Sequence, residues 1–259
     1  METTKDVLSL AVGIGEVMLR NGAEIYRVEE SVTRILQAYD ITEFDVYVLS
    51  NGIFASANED REDACSIIRH VPLGSTNLAK ITLLNQLTRD ICNRKCSIDE
   101  AWGRLMQYDA SPAYGKWVQI LCCGLGSGGF GYLFGGKPID AAFAFLIGLL
   151  LQPLLFAFSK AGISKVLKNL FASMFVSFMT IALLQTGLPL LADKIIIGSV
   201  MPLVPGIAFT TSIRDISDGD YLSGTIHLID ALLTALCIAL GVCLPIAFLR
   251  FLGGGIILP

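Results

Sequence analysis

One long apolar stretch near the C-terminus carries Ser223, His227, Asp230, Thr234, Cys237 and Gly241, separated by four, three, four, three and four residues. On a helix this spacing gathers the small and polar side chains on one face and leaves Leu, Ile and Ala on the others. At about 1.5 Å per residue, Asp230 stands roughly 12 Å beyond the start of the stretch, within the hydrocarbon of a bilayer that the helix crosses. A charged carboxylate at that depth costs about 3 kcal/mol, so something must offset it. A solute pathway, a proton relay or a buried pair with His227 would each do so. An apolar setting favours the neutral acid, which makes Asp230, with His227 beside it, the candidate for coupling to a proton gradient. The other reading is a packing face turned to another helix or subunit, with Asp230 satisfied by a hydrogen bond. A fainter stripe of Asn169, Ser173, Ser177 and Thr180 could face the same cavity, and Ser223, Thr234, Ser173 and Ser177 are the candidate pathway lining.

A second apolar stretch is interrupted by Met201-Pro202-Leu203-Val204-Pro205-Gly206. Each proline removes a backbone donor and clashes with the preceding turn, so a continuous helix is not expected across Pro202–Gly206. Irregular backbone at membrane depth persists only where protein or a water-filled cavity satisfies its polar groups, and broken helices of this kind often form transporter binding sites. A kink made only for packing is the alternative. Directly afterwards come Thr210, Thr211, Ser212, Ile213, Arg214 and Asp215, then Asp218, Gly219, Asp220 and Tyr221. The planar fork of Arg214 suits a carboxylate, hence an anionic or zwitterionic ligand, with Thr210, Thr211, Pro205 and Gly206 as its neighbours in a substrate site. Equally, Arg214 and Asp215 could anchor a helix end, and Asp218 or Asp220 could cap the next helix.

Other patterns point away from chemistry. Gly124-Leu125-Gly126-Ser127-Gly128-Gly129 matches GxGxxG, but it lies inside an apolar segment instead of between a strand and a soluble helix. The spacings of Gly124 with Gly128 and of Gly131 with Gly135 suit close helix packing rather than a nucleotide. Seven cysteines, an odd number with four in apolar segments, argue against a disulfide framework. Cys92 and Cys96, with His70 far upstream, lack the spacing of a zinc site, and free thiols suit a reducing compartment. No nucleophile with a nearby base is recognisable, so neither an enzyme nor a cofactor is expected.

The elements that must hold these residues divide by solvent. The chain has 259 residues, 53% of them hydrophobic, with a mean hydropathy of +0.63. Residues 1–116 hold 29 of the 42 charged side chains, 12 basic and 17 acidic, while the remaining 143 residues hold 7 basic and 6 acidic. Charge densities so different call for water around the first part and lipid around the second, with a boundary at Ser111-Pro112-Ala113-Tyr114-Gly115. The mildly acidic first part argues against a nucleic-acid partner. The expected organisation is a soluble α+β domain over 1–115 and a membrane α-helical domain over 116–259.

In the first part, apolar residues at helical spacing predict a long helix over 5–38, with Asn21-Gly22 as a possible break. Val7–Ile14 lies between Asp6 and Glu16 and belongs to this helix rather than to a signal peptide. The charged run Asn21–Glu30 reads either as a solvated face with internal pairs or as a regulatory or gating surface. A strand over 44–48, a turn at Asn51-Gly52, a strand over 53–57 and a third over Cys65–Val71, after the charged turn Glu59–Asp63, make a small antiparallel sheet. Helices over 76–93 and 97–109 follow, the second opened by Ser97 and Glu100 as a capping box. From Trp117 onward five transmembrane helices are expected, over 117–136, 141–159, 169–191, 195–213 and 222–249, the fourth broken at Pro202–Gly206. Lys160, Lys165 and Lys168 form the basic cluster among the loops, and by the positive-inside rule that loop and the first domain are cytoplasmic and the C-terminus is outside.

Three stretches resemble the threonine/serine exporter family, in particular its two-component form, whose larger component is the YjjP-like protein. They are Leu19-Arg20-Asn21-Gly22-Ala23-Glu24-Ile25-Tyr26-Arg27-Val28-Glu29-Glu30, then Asn77-Leu78-Ala79-Lys80, then Pro202–Gly206 through Ile213-Arg214-Asp215 to Gly219-Asp220-Tyr221-Leu222-Ser223-Gly224. The likeness runs over nearly the whole chain. It implies an exporter of the bacterial plasma (inner) membrane, driven by the proton-motive force, that works in an oligomer with a smaller YjjB-like membrane subunit on a separate chain. Members similar to it handle threonine and serine, or dicarboxylates such as succinate. Here Thr211-Ser212 precedes the Ile-Arg-Asp triplet where many relatives place Asn, and His227 stands where Arg is common, so substrate identity stays open. A different class, a membrane-anchored sensor or assembly scaffold with a ligand-binding head, would have no need of Asp230.

Overall fold

The computed structural model describes residues 3–58, 64–72, 74, 76–110 and 114–251. The charged turn Glu59–Asp63, residues 111–113 of the expected boundary and the C-terminal residues 252–259 lie outside the described residues. The chain forms two compact units. The first takes the described residues of Met1–Ala113 together with Thr211–His227, and the second takes Tyr114–Thr210 with those of Leu228–Pro259.

In the first unit, α1 (Thr4–Arg20) opens on a reciprocal capping box. The Thr3 hydroxyl accepts from the Asp6 N–H at 3.2 Å, and the Asp6 carboxylate accepts from the Thr3 N–H at 3.3 Å. The predicted helix over 5–38 is two helices, because Gly22 takes a φ of +76°, a left-handed conformation that ends α1 before α2 (Ile25–Ala38) begins. The strands β1 (Phe44–Leu49), β2 (Gly52–Ala57) and β3 (Cys65–His70) form an antiparallel sheet in the order β1-β2-β3. The first turn is shifted by one residue from the sequence expectation. Gly52 already pairs with Leu49, and Ser50-Asn51 make the turn without a positive φ at either position.

Two more helices complete the first unit. α3 (Leu78–Cys92) is capped by the Asn77 side chain, which accepts from the Lys80 N–H at 3.1 Å, and α4 (Ile98–Ala110) by the Ser97 hydroxyl, which accepts from the Glu100 N–H at 3.3 Å. Large aliphatic side chains converge at the centre: Leu10, Ile14 and Met18 of α1, Val32 and Ile35 of α2, Ile53 of β2, and Leu84 and Leu87 of α3. The other sheet face presents Tyr47, Phe54 and Ile68 as one exposed cross-strand row.

The second unit is helical. α6 (Pro138–Lys160), α7 (Lys165–Leu184) and α10 (Tyr221–Phe251) are long and apolar enough to cross a membrane. α8 (Ala192–Val200), with the single turn Met201–Leu203, and α9 (Gly206–Ser217) add a fourth span if the pair counts as one, bent by 59° at the two-proline segment. Among the described residues, three or four candidate spans therefore stand where five were expected. α5 (Lys116–Leu133) has 18 residues, but Lys116, Gln119 and the glycines at 124, 126, 128, 129 and 131 lower its hydropathy below that of the other three.

Three of those glycines, Gly124, Gly128 and Gly131, have a packing role. A Cβ on Gly198 of α8 would stand 2.6 Å from the Gly131 backbone, and one on Gly148 of α6 would stand 2.8 Å from the Cys123 carbonyl. α5 is thus the close-contact partner of both α6 and α8 through Gly124, Gly128 and Gly131, whereas Gly126 and Gly129 of the GxGxxG pattern face open space. The outward faces carry Leu125, Leu146, Leu150, Phe178, Leu232 and Leu236, all exposed, the arrangement that lipid rather than water stabilises.

Candidate functional site

Arg214 lies in the last turn of α9, in the part of that helix that belongs to the first unit. Its guanidinium bonds the Glu24 carboxylate, donates to the Tyr26 hydroxyl at 3.0 Å and lies 4.8 Å from the centre of the Tyr26 ring. Asp218, one turn on, is a looser neighbour at 3.8 Å. Glu24 precedes α2 as its cap residue, yet its side chain makes no capping bond. The carboxylate instead takes Arg27 Nε at 2.8 Å as well as Arg214. Partial burial works against its charge, but the bonds from Arg27 and Tyr26 and the nearby Arg214 outweigh that and hold the Glu24 carboxyl below its ordinary value. The run Asn21–Glu30 is therefore more than a solvated face with internal pairs, since two of its residues hold an arginine from 190 positions away.

Behind Arg214 the chain reverses. Gly219 takes a φ of +94°, so α9 and α10 form a tight hairpin around Asp218-Gly219-Asp220. A Cβ on Gly224 would stand 2.9 Å from both the Ile216 nitrogen and the Ser212 carbonyl, so only glycine permits this approach. The Ser223 hydroxyl accepts from the Ser50 N–H at 3.1 Å, fixing the hairpin to the β1–β2 turn. These contacts explain in physical terms the Gly-Asp-Tyr-Leu-Ser-Gly run. His227 Nδ1 faces the Asp215 carboxylate at 3.2 Å, and Asp215 is buried at 5% exposure. His227 therefore does not form the pair with Asp230 that the sequence allowed.

Asp230 pairs instead with Lys165, the first residue of α7, at 2.5 Å. Neither group is sealed, with side-chain exposures of 34% for Asp230 and 55% for Lys165. α10 has 31 residues, about 46 Å of helix against roughly 30 Å of hydrocarbon, so its start does not by itself fix the membrane boundary. Part of the offset that an acid in an apolar helix requires comes from the Lys165 ammonium. Farther along α10, Thr234, Cys237 and Gly241 do form a buried face. It meets α7, where a Cβ on Gly241 would fall on the Ser173 hydroxyl and where the Ser177 hydroxyl donates to the Val242 carbonyl at 3.0 Å. The Ser173 hydroxyl donates to the Asn169 carbonyl at 2.8 Å and that of Thr180 to the Val176 carbonyl at 3.0 Å. Thr210, exposed on α9, donates to its own helix at the Gly206 carbonyl, 3.1 Å away. Gly206 is the first residue of α9, Pro205 precedes it, and Thr211 follows Thr210 on the same helix.

Sequence reasoning missed Glu24, Tyr26, Asp215 and Lys165 as partners. Only Lys165 left a signal, as one of the few cations among the apolar segments, in the basic cluster of Lys160, Lys165 and Lys168. Asp140, buried at 0% exposure, was also missed. It accepts from the Lys137 N–H at 2.8 Å and the Leu191 N–H at 2.9 Å, tying the start of α6 to the segment before α8.

The family model described as putative threonine/serine exporter, ThrE, matches residues 9–249. A threonine/serine exporter of Corynebacterium glutamicum is 24% identical over 247 residues, which is 93% of this chain and 50% of that protein. A probable threonine/serine exporter of Mycobacterium tuberculosis (strain ATCC 25618 / H37Rv) is 23% identical over 250 residues, 94% of this chain and 46% of that protein. The chain thus spans about half the length of these curated relatives. No solved structure matches. With a match that reaches into both units, from the second turn of α1 to the last turn of α10, the chain belongs to the putative threonine/serine exporter family.

Proposed function

We propose that this chain is the larger membrane component of a secondary exporter of threonine and serine, or of dicarboxylates such as succinate, in the bacterial inner membrane. The reading rests on one observation above all. A candidate span is broken at the two-proline segment, and the helix resuming after it carries Arg214, a carboxylate-binding side chain, in its last turn. The names of the relatives support threonine and serine. In this proposal Arg214 receives the substrate carboxylate, with Thr210, Thr211, Pro205 and Gly206 as the neighbouring wall. Ser223, Thr234, Ser173 and Ser177 lie along the route and lose their packing partners when it opens.

Asp230 and His227 couple export to the proton-motive force, Asp230 by exchanging the Lys165 ammonium for a proton and His227 by taking up and releasing a proton beside the Asp215 carboxylate. The domain over 1–115 lies in the cytoplasm and the 116–259 domain crosses the membrane five times, with α5 among the spans and the C-terminus outside. A smaller YjjB-like membrane subunit on a separate chain supplies the other half of the transporter.

Reconstituted vesicles test this proposal. With the smaller subunit present and a pH gradient imposed, labelled threonine, serine or succinate should accumulate, and collapsing the gradient should abolish accumulation. An Asp230→Asn chain that still concentrates substrate against a gradient would remove the coupling role.

A further inference from the structure

The Glu24–Arg214 contact joins the two most recognisable runs of this chain, and neither a capping role nor a simple surface pair accounts for it. Glu24 sits where a capping side chain would bond α2, but it leaves the helix end uncapped and turns to guanidinium groups instead. Arg214 is equally committed. Its Nη1 goes to Glu24, its Nη2 to the Tyr26 hydroxyl, and its Cζ lies over the Tyr26 ring, 4.8 Å from the centre. Arg214 remains 46% exposed at its side chain, so the site is open to a ligand from outside. A carboxylate on a guanidinium fork is what a bound organic acid would present there.

We propose that Glu24 is an internal competitor that occupies the Arg214 subsite in the unloaded protein, and that a ligand carboxylate binds by displacing it. This rests on the reading of Arg214 as the substrate contact. The displaced Glu24 keeps its bond to Arg27, 2.8 Å away, so release of Arg214 does not strand an unpaired acid. Tyr26 stays against the guanidinium in both states and keeps it oriented. Glu24 is thereby a specificity-determining residue. Standing beside the occupied fork, it attracts a ligand that carries an ammonium group and repels one that carries a second carboxylate. Apparent affinity is the intrinsic affinity reduced by the fraction of molecules whose fork is free. If about nine molecules in ten are closed, removing the competitor tightens apparent binding about tenfold.

The experiment uses the full chain in detergent micelles, with L-threonine and succinate as probes at up to millimolar concentration and thermal stabilisation as the readout. Glu24→Gln is expected to tighten apparent binding of L-threonine by about five- to tenfold and that of succinate by more, since the repelling charge is also gone. Glu24→Asp, which keeps the charge but shortens its reach, should fall between wild type and Glu24→Gln. Arg214→Gln should abolish binding of both probes with or without the Glu24 substitution. If Arg214→Gln abolishes binding while Glu24→Gln and Glu24→Asp bind no more tightly than wild type, the competitor is refuted and the Arg214 reading survives. Binding that persists in Arg214→Gln refutes that reading and the competitor with it. Failure of both probes to stabilise a folded Glu24→Gln chain overturns the proposal as well.

Discussion

The two units are built on opposite plans, and Ile14 and Gly198 show the difference. Ile14 lies at 0% exposure among other large aliphatic side chains, in a core that forms because water expels it. Gly198 lies where two helix backbones meet, and Leu125, Leu146, Leu150, Leu232 and Leu236 of its unit are exposed. Lipid tails are as apolar as leucine, so burying leucine gains little there, and close packing through small residues stabilises the helices instead. One unit is sensitive to lost volume and the other to added volume.

The sharpest way to break this comparison is to add volume where the second unit has none. Gly198→Leu should prevent α5 and α8 from packing, because even its Cβ would stand 2.6 Å from the Gly131 backbone, and backbone cannot move aside as a side chain can. The expected cost exceeds about 4 kcal/mol, in the range reserved for named structural failures. Hydrogen exchange resolved by peptide should show lost protection in α5, α6 and α8, with α1 to α4 retaining theirs.

The converse substitution, Ile14→Ala, should cost about 2–5 kcal/mol through lost burial and a residual cavity. Exchange should then accelerate in α1, α2 and β2. As its control, Leu233→Ala on the exposed face of α10 removes as many carbon atoms but should change stability by less than about 0.5 kcal/mol in micelles. If Leu233→Ala proves as costly as Ile14→Ala, that face is covered by protein and not by lipid.

Most of this plan was legible in the sequence, because solvent leaves its mark on composition. The three strands, the break at Gly22, the interruption at Pro202–Gly206 and the small-residue face of α10 follow from local rules of turn chemistry and periodicity. The candidate site was legible only in halves. Arg214 and Asp230 stood out as costly residues, but their partners Glu24 and Lys165 lie 190 and 65 positions away, and no periodicity reports a contact across such distances. The spacing of His227 and Asp230 put them on one face, and the hairpin at Gly219 instead brought Asp215 to His227. Counting from the start of α10 does not by itself give the depth of Asp230, since a 31-residue helix is longer than a bilayer is thick.

The ion pairs give a finer test of the same contrast. Lys165→Ala leaves Asp230 without its counter-charge, whereas Lys165→Ala combined with Asp230→Leu leaves no charge at all. In a low-dielectric setting the double variant should be more stable than the single one by about 2 kcal/mol. The pair Arg34–Glu30, which faces solvent on α2, should show a coupling of only about 0.3–0.5 kcal/mol in the same cycle. Equal coupling energies would place Asp230 in water and weaken the case for its part in proton transfer.

The smallest expected effect is read by its sign. Glu24 and Glu29 lie five residues apart at the start of α2, yet the fold moves their acidities in opposite directions from the same ordinary value of 4.5. Glu29 is raised by burial and by the neighbouring Asp220, so the folded state prefers it neutral. Its contribution is fully present below 4.5 and is lost as the pH rises through the raised folded value. Glu29→Gln should therefore stabilise the protein at neutral pH, with the gain vanishing as the pH falls to about 4.5 and below. Glu24 is lowered, so it stabilises the fold above 4.5 and that help disappears as the pH falls through its lowered folded value. Glu24→Gln should accordingly destabilise at neutral pH and approach wild type in acid. Thermal unfolding of the two variants between neutral pH and pH about 4 should give stability differences of opposite sign that converge on acidification. Differences of the same sign would mean that Arg214 does not hold Glu24 in solution, and the link between the two runs would fail with it.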